Sequence, residues 1–366
     1  MKKISSELRR KREYLREKNW YRRLQLRLQY DSQFQRSMVQ GAFALLCIWI
    51  GIEFHLFVRW GASGGIATYV ERPPGAEGFL PISALISLKY WIQTSVINTI
   101  HPSGLFILLA IVVVSVVAKK ALCGWLCPVG SLSEAIWMLG EKIFKRTFIL
   151  PRWLDYPLRS LKYLLLAFFV WAISSMDVPA LAAFIESPYN RVADIKMYFF
   201  FAEISGAALW TVAILMLASL FVKNFWCRYL CPYGALLGIT GLFSPLRINR
   251  TASTCIDCEL CTKACPSSIK VHKVTTVMSD ECMSCMRCVE VCPVKETLVV
   301  KPVLIQRAVP GWVMAVLIVG SFVCVTGFAM VTGHWQNAIS KEEYRTRFQE
   351  LNGPQYEHFQ GTANGK

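Results

Sequence analysis

The sequence predicts an α-helical polytopic membrane protein with about five transmembrane helices and one small inserted α+β domain that is rich in cysteine. Hydrophobic residues make up 54% of the 366-residue chain, and they fall in long apolar runs. The formal net charge of +16 fits cationic loops beside a membrane, so we expect a membrane partner and no nucleic acid. Two closely spaced cysteine runs before the last apolar run define the inserted domain.

The first element is a basic segment over residues 1–37, which contains no run apolar enough for a signal peptide. Its cationic residues include Arg9, Arg10, Lys11, Arg12, Arg16, Lys18, Arg22, Arg23 and Arg27. Leucines between these charges allow an amphipathic helix on anionic lipid headgroups, whereas a solvated basic tail that only sets the orientation is an equal alternative.

Five runs approach the length of about 20 apolar residues that crosses a bilayer. They are Met38–Trp60, Pro102–Ala118, Leu158–Met176, Ile204–Val222 and Gly311–Val331. The first four belong to a predicted membrane domain over residues 38–245, and the fifth lies within residues 303–332. A further apolar stretch, Phe79–Ile97, is interrupted by Pro81 and Lys89 and predicts an interfacial or re-entrant helix.

The distribution of basic residues predicts the orientation of the chain in a bacterial cytoplasmic (inner) membrane. Lys and Arg are abundant in residues 1–37 and in the link between the second and third apolar runs, so we expect both on the cytoplasmic side. The cysteine runs, within residues 246–302, then also lie in the cytoplasm, where thiols stay reduced. Five spans place the tail, residues 333–366, on the outer face.

The two cysteine runs have the same spacing. They are Cys255-x2-Cys258-x2-Cys261-x3-Cys265-Pro266 and Cys282-x2-Cys285-x2-Cys288-x3-Cys292-Pro293. This spacing is typical of bacterial ferredoxins with two 4Fe–4S clusters, in which the fourth cysteine of each run ligates the other run's cluster. The predicted ligand sets are therefore Cys255, Cys258, Cys261 and Cys292 for one cluster, and Cys282, Cys285, Cys288 and Cys265 for the other.

Zinc and disulfides explain these runs less well than clusters do. Structural zinc sites use two ligand pairs separated by a longer spacer, whereas here three cysteines crowd together and a proline follows the fourth, twice. Disulfides need an oxidising compartment and do not explain the identical spacing. We therefore expect residues 246–302 to form a ferredoxin domain of the α+β class.

A second cysteine pattern occurs after the second apolar run and again after the fourth. The two copies are Cys123-Gly-Trp-Leu-Cys127-Pro128-Val-Gly130 and Cys227-Arg-Tyr-Leu-Cys231-Pro232-Tyr-Gly234, with Lys119 and Lys223 four residues upstream. The spacing of four places both cysteines on one side of a helical end, and the proline favours a new helix. We expect Cys127 and Cys231 at helix N-termini, where backbone N–H groups lower a thiol pKa.

Three uses of these four thiols remain open. Cys123, Cys127, Cys227 and Cys231 could jointly hold a further metal or cluster, could cycle between dithiol and disulfide, or could stabilise two helix junctions. We place metal or cluster binding first among the three.

In this order of parts the chain resembles the NapH/NosR/CcoG-type membrane polyferredoxins. The resemblance is carried by both Cys-x3-Cys-Pro motifs, by Leu150-Pro-Arg-Trp-Leu-Asp155 and by the two ferredoxin runs. It implies that electrons pass between the quinone pool and a redox partner, and the CcoG-like branch implies copper handling during oxidase assembly. In departure from the NosR type, we expect no outer flavin-binding domain in this chain.

We therefore expect a membrane-bound iron–sulfur protein that relays single electrons. Its expected partners are quinone, quinol or a membrane redox subunit on one side, and a soluble electron donor or acceptor on the other. No catalytic acid–base residue is needed, so the chain is an electron carrier or an oxidoreductase subunit. The alternative is a redox-dependent copper reduction, assembly or sensor protein that uses the Cys-x3-Cys-Pro thiols.

Overall fold

The computed structural model describes residues 17–145, 148, 150–294, 296–303 and 307–356, and these residues are mostly helical. The N-terminal cationic residues Arg9, Arg10, Lys11, Arg12 and Arg16, and the end of the predicted tail from residue 357, lie outside the described residues.

The described elements up to residue 241 are all helical. They are α1 (Trp20–Tyr30), α2 (Ser32–Ala62), α3 (Pro81–Thr94), α4 (Pro102–Ala118), α5 (Ala121–Trp125), α6 (Pro128–Phe144), α7 (Arg152–Ser174), α8 (Val178–Glu186), α9 (Pro188–Arg191), α10 (Ala193–Ala202), α11 (Gly206–Phe221), α12 (Phe225–Tyr229) and α13 (Pro232–Gly241). A short 3-10 helix, Pro74–Phe79, precedes α3.

The remaining elements include the only two strands among the described residues. They are β1 (Leu246–Arg250), α14 (Leu260–Lys263), α15 (Arg287–Val291), β2 (Leu298–Pro302), α16 (Gly311–Val331) and α17 (Lys341–Gln349), with 3-10 helices at Ala252–Thr254, Val271–Lys273 and Pro354–Tyr356. Strands β1 and β2 pair antiparallel, from Leu246 opposite Pro302 to Arg250 opposite Leu298. The segment between them contains both ferredoxin-type cysteine runs.

Among the residues that the structure describes, three helices, α2, α7 and α16, are each long and apolar enough to cross a membrane. Helices α10 and α11 pass the same test together, but they are bent by 79° at the break between them. Helix α4 is apolar but has only 17 residues. The expected count of five spans therefore stays a prediction, because two of the five runs do not qualify as single long helices.

The chain folds into two compact units, and every cysteine of the two patterns belongs to the first. This unit consists of Met1–Leu45, Ile111–Ala167 and Thr211–Val323. Its buried core joins Val114 of α4, Trp125 of α5, Ile248 of β1, Val300 of β2 and Met314 of α16. The two-stranded sheet is thus packed on the ends of the apolar helices, which fixes the ferredoxin-type runs against the rest of this unit.

The second unit consists of Leu46–Ala110, Phe168–Trp210 and Cys324–Lys366. A buried ion network lies in it: the Arg72 guanidinium contacts the carboxylates of Asp194 and Glu77, with an Nη1 to Oε1 distance of 2.9 Å to Glu77. Burial by itself would raise the pKa of Glu77, but Arg72, His101 and Ser103 outweigh burial and lower it to about 2. This carboxyl group is therefore charged in the folded protein at neutral pH.

Candidate functional site

The first ferredoxin-type site is a cavity lined by Cys255, Cys258, Cys261 and Cys292. Helix α14 carries Cys261, and Cys292 caps the C-terminus of α15, so the fourth ligand comes from the other run. Asp257 and Glu259, the second and fourth residues after Cys255, have φ angles of 51° and 58°. These left-handed residues turn the chain around the cavity between successive cysteines.

The second ferredoxin-type site is a separate cavity lined by Cys265, Cys282, Cys285 and Cys288. The turns repeat: Ser284 and Met286, again the second and fourth residues after the first cysteine of the run, have φ angles of 46° and 58°. The structure therefore brings the eight cysteines together in the two crossed sets of four that the spacing predicts. Their role as cluster ligands remains a prediction.

The donor chemistry of both cavities suits an iron–sulfur cluster. Each cavity offers four soft sulfur donors, which are the ligands that iron–sulfur clusters take. Burial raises the pKa of Cys265 to about 12 and that of Cys288 well above its usual value. A bound cation would therefore have to displace protons from these thiols, which couples binding to folding and to pH.

The Cys-x3-Cys-Pro motifs have the local structure that the sequence predicts. Helix α6 begins at Pro128 with Cys127 as its N-cap, and α13 begins at Pro232 with Cys231 as its N-cap. The backbone N–H of Gly234 donates to Sγ of Cys231 at 3.4 Å. The expectation that these cysteines lie at helix N-termini is therefore confirmed.

The four thiols of these motifs lie close enough to act on one another. The pKa of Cys123 responds first to burial and then to the charges of Lys120, Cys127 and Cys231, and it is raised to about 12. The pKa of Cys227 is raised well above its usual value by burial and by the other three thiols. The two copies of the repeat therefore bring their cysteines to one place, with Cys123 and Cys227 buried.

The expected lowering of the thiol pKa at these helix N-termini is wrong for Cys231. Burial raises the pKa of Cys231, and it outweighs the opposing effects of the Gly234 N–H group and of the Lys120 ammonium. The physical reason is that the free-energy cost of removing a thiolate from water exceeds the stabilisation that one helix N-terminus gives to it.

Glycines let the new helices approach the cysteines closely. A Cβ atom on Gly234 would lie 2.9 Å from the carbonyl oxygen of Cys227. A Cβ atom on Gly130, the matching residue of the first copy, would overlap the carbonyl oxygen of Cys123. The final glycine of each motif is therefore required by packing against the first cysteine.

Each copy of the repeat also holds the ferredoxin-type segment by an equivalent lysine. Lys119 Nζ donates to the carbonyl oxygen of Val277 at 2.9 Å, and Lys223 Nζ donates to that of Lys263 at 3.2 Å. In the first copy, Trp125 Nε1 donates to the Ser284 carbonyl oxygen at 3.1 Å. The internal repeat thus positions the ferredoxin-type runs against the Cys-x3-Cys-Pro thiols.

Several charged groups around the site were given no role by the sequence analysis. Asp155 accepts hydrogen bonds from Arg228 at 2.9 Å and from Tyr229 at 2.6 Å, and so anchors the second motif. Glu281 binds the ammonium groups of Lys120 and Lys162, and Lys162 is fully buried. The sequence does contain a signal for Lys162, which is a charged residue inside an apolar run. Such residues usually have a functional role or an oppositely charged partner.

Within the described part of the chain, no group of three or more His, Cys, Asp or Glu side chains could hold one metal ion. A cluster differs from a single ion because its ligands bind several iron atoms. The four-cysteine lining of each cavity is the donor set that an iron–sulfur cluster takes.

Two models of protein families match the chain. A model described as a 4Fe-4S binding domain matches residues 100–147 and 205–250, which contain the two Cys-x3-Cys-Pro motifs. A model described as a 4Fe-4S dicluster domain matches residues 247–293, which contain both ferredoxin-type runs. No solved structure matches the chain significantly.

Similar curated proteins cover different shares of the chain. YccM of Escherichia coli K12, whose name provisionally describes an electron transport protein, is 46% identical over 85% of this chain and 88% of its own length. The ferredoxin-type protein NapH of Haemophilus influenzae is 28% identical over 53% of this chain and 68% of its own. The regulatory protein NosR of Stutzerimonas stutzeri is 30% identical over 46% of this chain but only 23% of its own. The chain therefore belongs to the polyferredoxin family of electron-transport proteins that includes YccM, NapH and NosR.

Proposed function

We propose that the protein relays single electrons between the membrane and a redox partner, using two 4Fe–4S clusters held by the ferredoxin-type cysteines. The observation that carries this proposal is that two crossed sets of four cysteines line two separate cavities. A bound 4Fe–4S cluster accepts and releases one electron at a time without making or breaking bonds in a substrate.

The residues of the chain would set the position and the environment of each cluster. Cys282, Cys285 and Cys288 are buried, whereas Cys258 is exposed and Cys255 and Cys292 are half-buried. Burial and hydrogen bonds to sulfur tune a cluster potential. The cavity that contains Cys258 is thus the more accessible of the two, and we assign it to exchange with a soluble donor or acceptor.

The four Cys-x3-Cys-Pro thiols are proposed to hold a third group, which we take to be a further cluster. The thiols act on one another electrostatically, and the family model over both motifs is described as a 4Fe-4S binding domain. The motifs follow α4 and α11, so this third site would serve the exchange of electrons with the membrane side.

The membrane partner that we propose is quinone, quinol or a membrane redox subunit. A lipid-soluble carrier can reach a site next to apolar helices, and family resemblance points in the same direction. Oxidation of one quinol releases two electrons and two protons, so two single-electron transfers would follow each turnover. We further propose that residues 1–37 and the ferredoxin-type segment face the cytoplasm, and that the tail lies outside.

The test is low-temperature EPR with iron and sulfide analysis on the full chain, purified anaerobically, reduced with dithionite and then treated with a quinone analogue. We expect 4Fe–4S signals that disappear on addition of quinone. Signals that persist after quinone is added would contradict the proposal that quinone is the partner. The absence of stoichiometric iron would contradict the proposed electron relay itself.

The third group is tested separately by the variants Cys123→Ala and Cys227→Ala. We expect each to lose iron relative to the parent while the signals of the ferredoxin-type clusters persist. Cys324→Ala is the matched control, because Cys324 is an exposed cysteine of α16 outside both patterns. Unchanged iron in the first two variants would overturn the third site.

A further inference from the structure

A buried lysine lies beside the four Cys-x3-Cys-Pro thiols. The Lys120 side chain is almost completely buried between α4 and α5, and its Nζ lies 3.4 Å from Oε2 of Glu281. In the other copy of the repeat the matching residue is Asn224, which carries no charge. The lysine is therefore a feature of one copy only, and the repeat architecture by itself does not account for it.

The ammonium group of Lys120 points toward the thiols. It lies 3.5 Å from the position that a Cβ atom on Gly234 would occupy, and the Gly234 N–H group itself donates to Sγ of Cys231 at 3.4 Å. Its charge opposes the effect of burial on Cys123 and on Cys227 as well. One ammonium group thus acts on three of the four thiols.

Lys120 shares its ion-pair partner Glu281 with a second lysine. Glu281 is also bound by the ammonium group of Lys162, which is fully buried. The carboxylate of Asp280 also acts on both ammonium groups, so Lys120 faces two carboxylates as well as the thiols. A buried ammonium group is stabilised by every opposite charge that faces it, and the nearby thiols add negative charge when they are ionised as ligands.

We propose that Lys120 is a positioning residue that compensates the negative charge of the group held by the four Cys-x3-Cys-Pro thiols and raises its reduction potential. This inference rests on the proposed third group. A fixed positive charge favours the reduced form of a nearby redox group, because that form carries one more negative charge.

The neighbouring lysine serves a different site, which makes the proposal specific. Lys119 is also buried, but its charge acts on Cys282 of the second ferredoxin-type cavity, and its Nζ donates to the carbonyl oxygen of Val277. Lys119 and Lys120 therefore form a natural pair of variants: adjacent in sequence, equal in charge, and directed at different sets of cysteines.

The experiment is an EPR-monitored redox titration of the full chain, with iron content measured in each sample. Lys120→Gln is expected to shift the third group to a lower potential and to leave the potentials of the ferredoxin-type clusters in place. Lys120→Arg keeps the charge and is expected to keep the parent potential. Lys119→Gln is expected to shift a ferredoxin-type signal and not the third one.

Three results would overturn the proposal. The first is an unchanged reduction potential of the third group in Lys120→Gln. The second is a shift of this potential in Lys120→Arg that equals the shift in Lys120→Gln. If Lys120→Gln assembles no third group, retention of that group in Lys120→Arg supports charge compensation, whereas its loss in both variants is the third contrary result. Iron for only two clusters in the parent would refute the third site itself. That outcome differs from a third EPR signal whose potential does not change when Lys120 is replaced, which would refute only the role of Lys120.

Discussion

At the scale of single residues, the Cys-Pro-x-Gly ending of each repeat copy is determined by contact between backbones. Proline starts the new helix and removes an N–H group that would have no partner there. Glycine is needed two residues later because α6 and α13 pass against the carbonyl oxygens of Cys123 and Cys227. These motifs thus combine donor atoms with the packing that places them.

Gly130→Ala is expected to destabilise the fold by roughly 1–3 kcal/mol, because the added Cβ atom would overlap the Cys123 carbonyl oxygen. Thermal unfolding in detergent measures the change, and iron content reports whether the four-thiol site survives. Gly41→Ala is the control, since a Cβ atom there would meet nothing within 4 Å. Equal unfolding temperatures for the two variants would contradict the packing argument.

The buried network around Glu77 predicts a dependence of stability on pH. The pKa of Glu77 falls from its usual 4.5 to about 2 in the folded protein. Its contribution to stability is therefore complete above about pH 4.5 and is lost as the pH falls toward 2. Glu77→Gln leaves Arg72 with one carboxylate fewer and is expected to cost about 3–5 kcal/mol at neutral pH.

Unfolding of the parent and of Glu77→Gln would be compared at neutral and at acidic pH. The difference in the free energy of unfolding should narrow as the pH falls below about 4.5. Glu186→Gln serves as the control, because this carboxylate is mostly exposed and its pair with Arg191 should contribute little. A constant difference across the pH range would count against the network.

At the scale of elements, the ferredoxin-type segment is held by contacts that repeat with the internal symmetry of the chain. Lys119 and Lys223, at matching positions, both donate to carbonyl oxygens of this segment. Ile248 of β1 and Val300 of β2 belong to the same buried apolar cluster as Val114 of α4 and Met314 of α16. This docking keeps the proposed redox sites at fixed separations, which an electron relay needs.

Trp125→Phe tests this docking, since it removes the hydrogen bond from Nε1 to the Ser284 carbonyl oxygen but keeps an aromatic ring in place. We expect a loss of roughly 1–3 kcal/mol from the carbonyl group left without a donor. Hydrogen exchange of residues 279–288 should become faster. Trp312→Phe, which changes an exposed tryptophan of α16, should leave this exchange as it is in the parent.

At the scale of the whole molecule, the number of membrane crossings determines which face the tail occupies. In the described part of the chain, three helices qualify singly as membrane spans, α10 and α11 form a bent pair, and α4 is shorter than a typical span. The five crossings that the sequence predicts would place the tail opposite to the basic link between α4 and α7.

Reporter fusions after Gly333 test this topology. A phosphatase that folds only outside the cytoplasm is expected to be active there, whereas a fluorescent protein that folds only inside is expected to be dark. The same reporters placed after Lys145 should give the reverse result, because that link is basic. A fluorescent fusion after Gly333 would mean an even number of crossings and would refute the orientation.

The sequence by itself determined the family, the apolar helices, the helix starts at Pro128 and Pro232, and the grouping of the ferredoxin-type cysteines. These features depend on local spacing, on hydrophobic length and on proline geometry, all of which can be read along the chain. Only the tertiary structure decided that burial outweighs the helix N-terminus at Cys231, and that Lys120, Lys162 and Glu281 meet beside the thiols. Both depend on how much water is removed and on which distant segments come together, and no local pattern encodes either quantity.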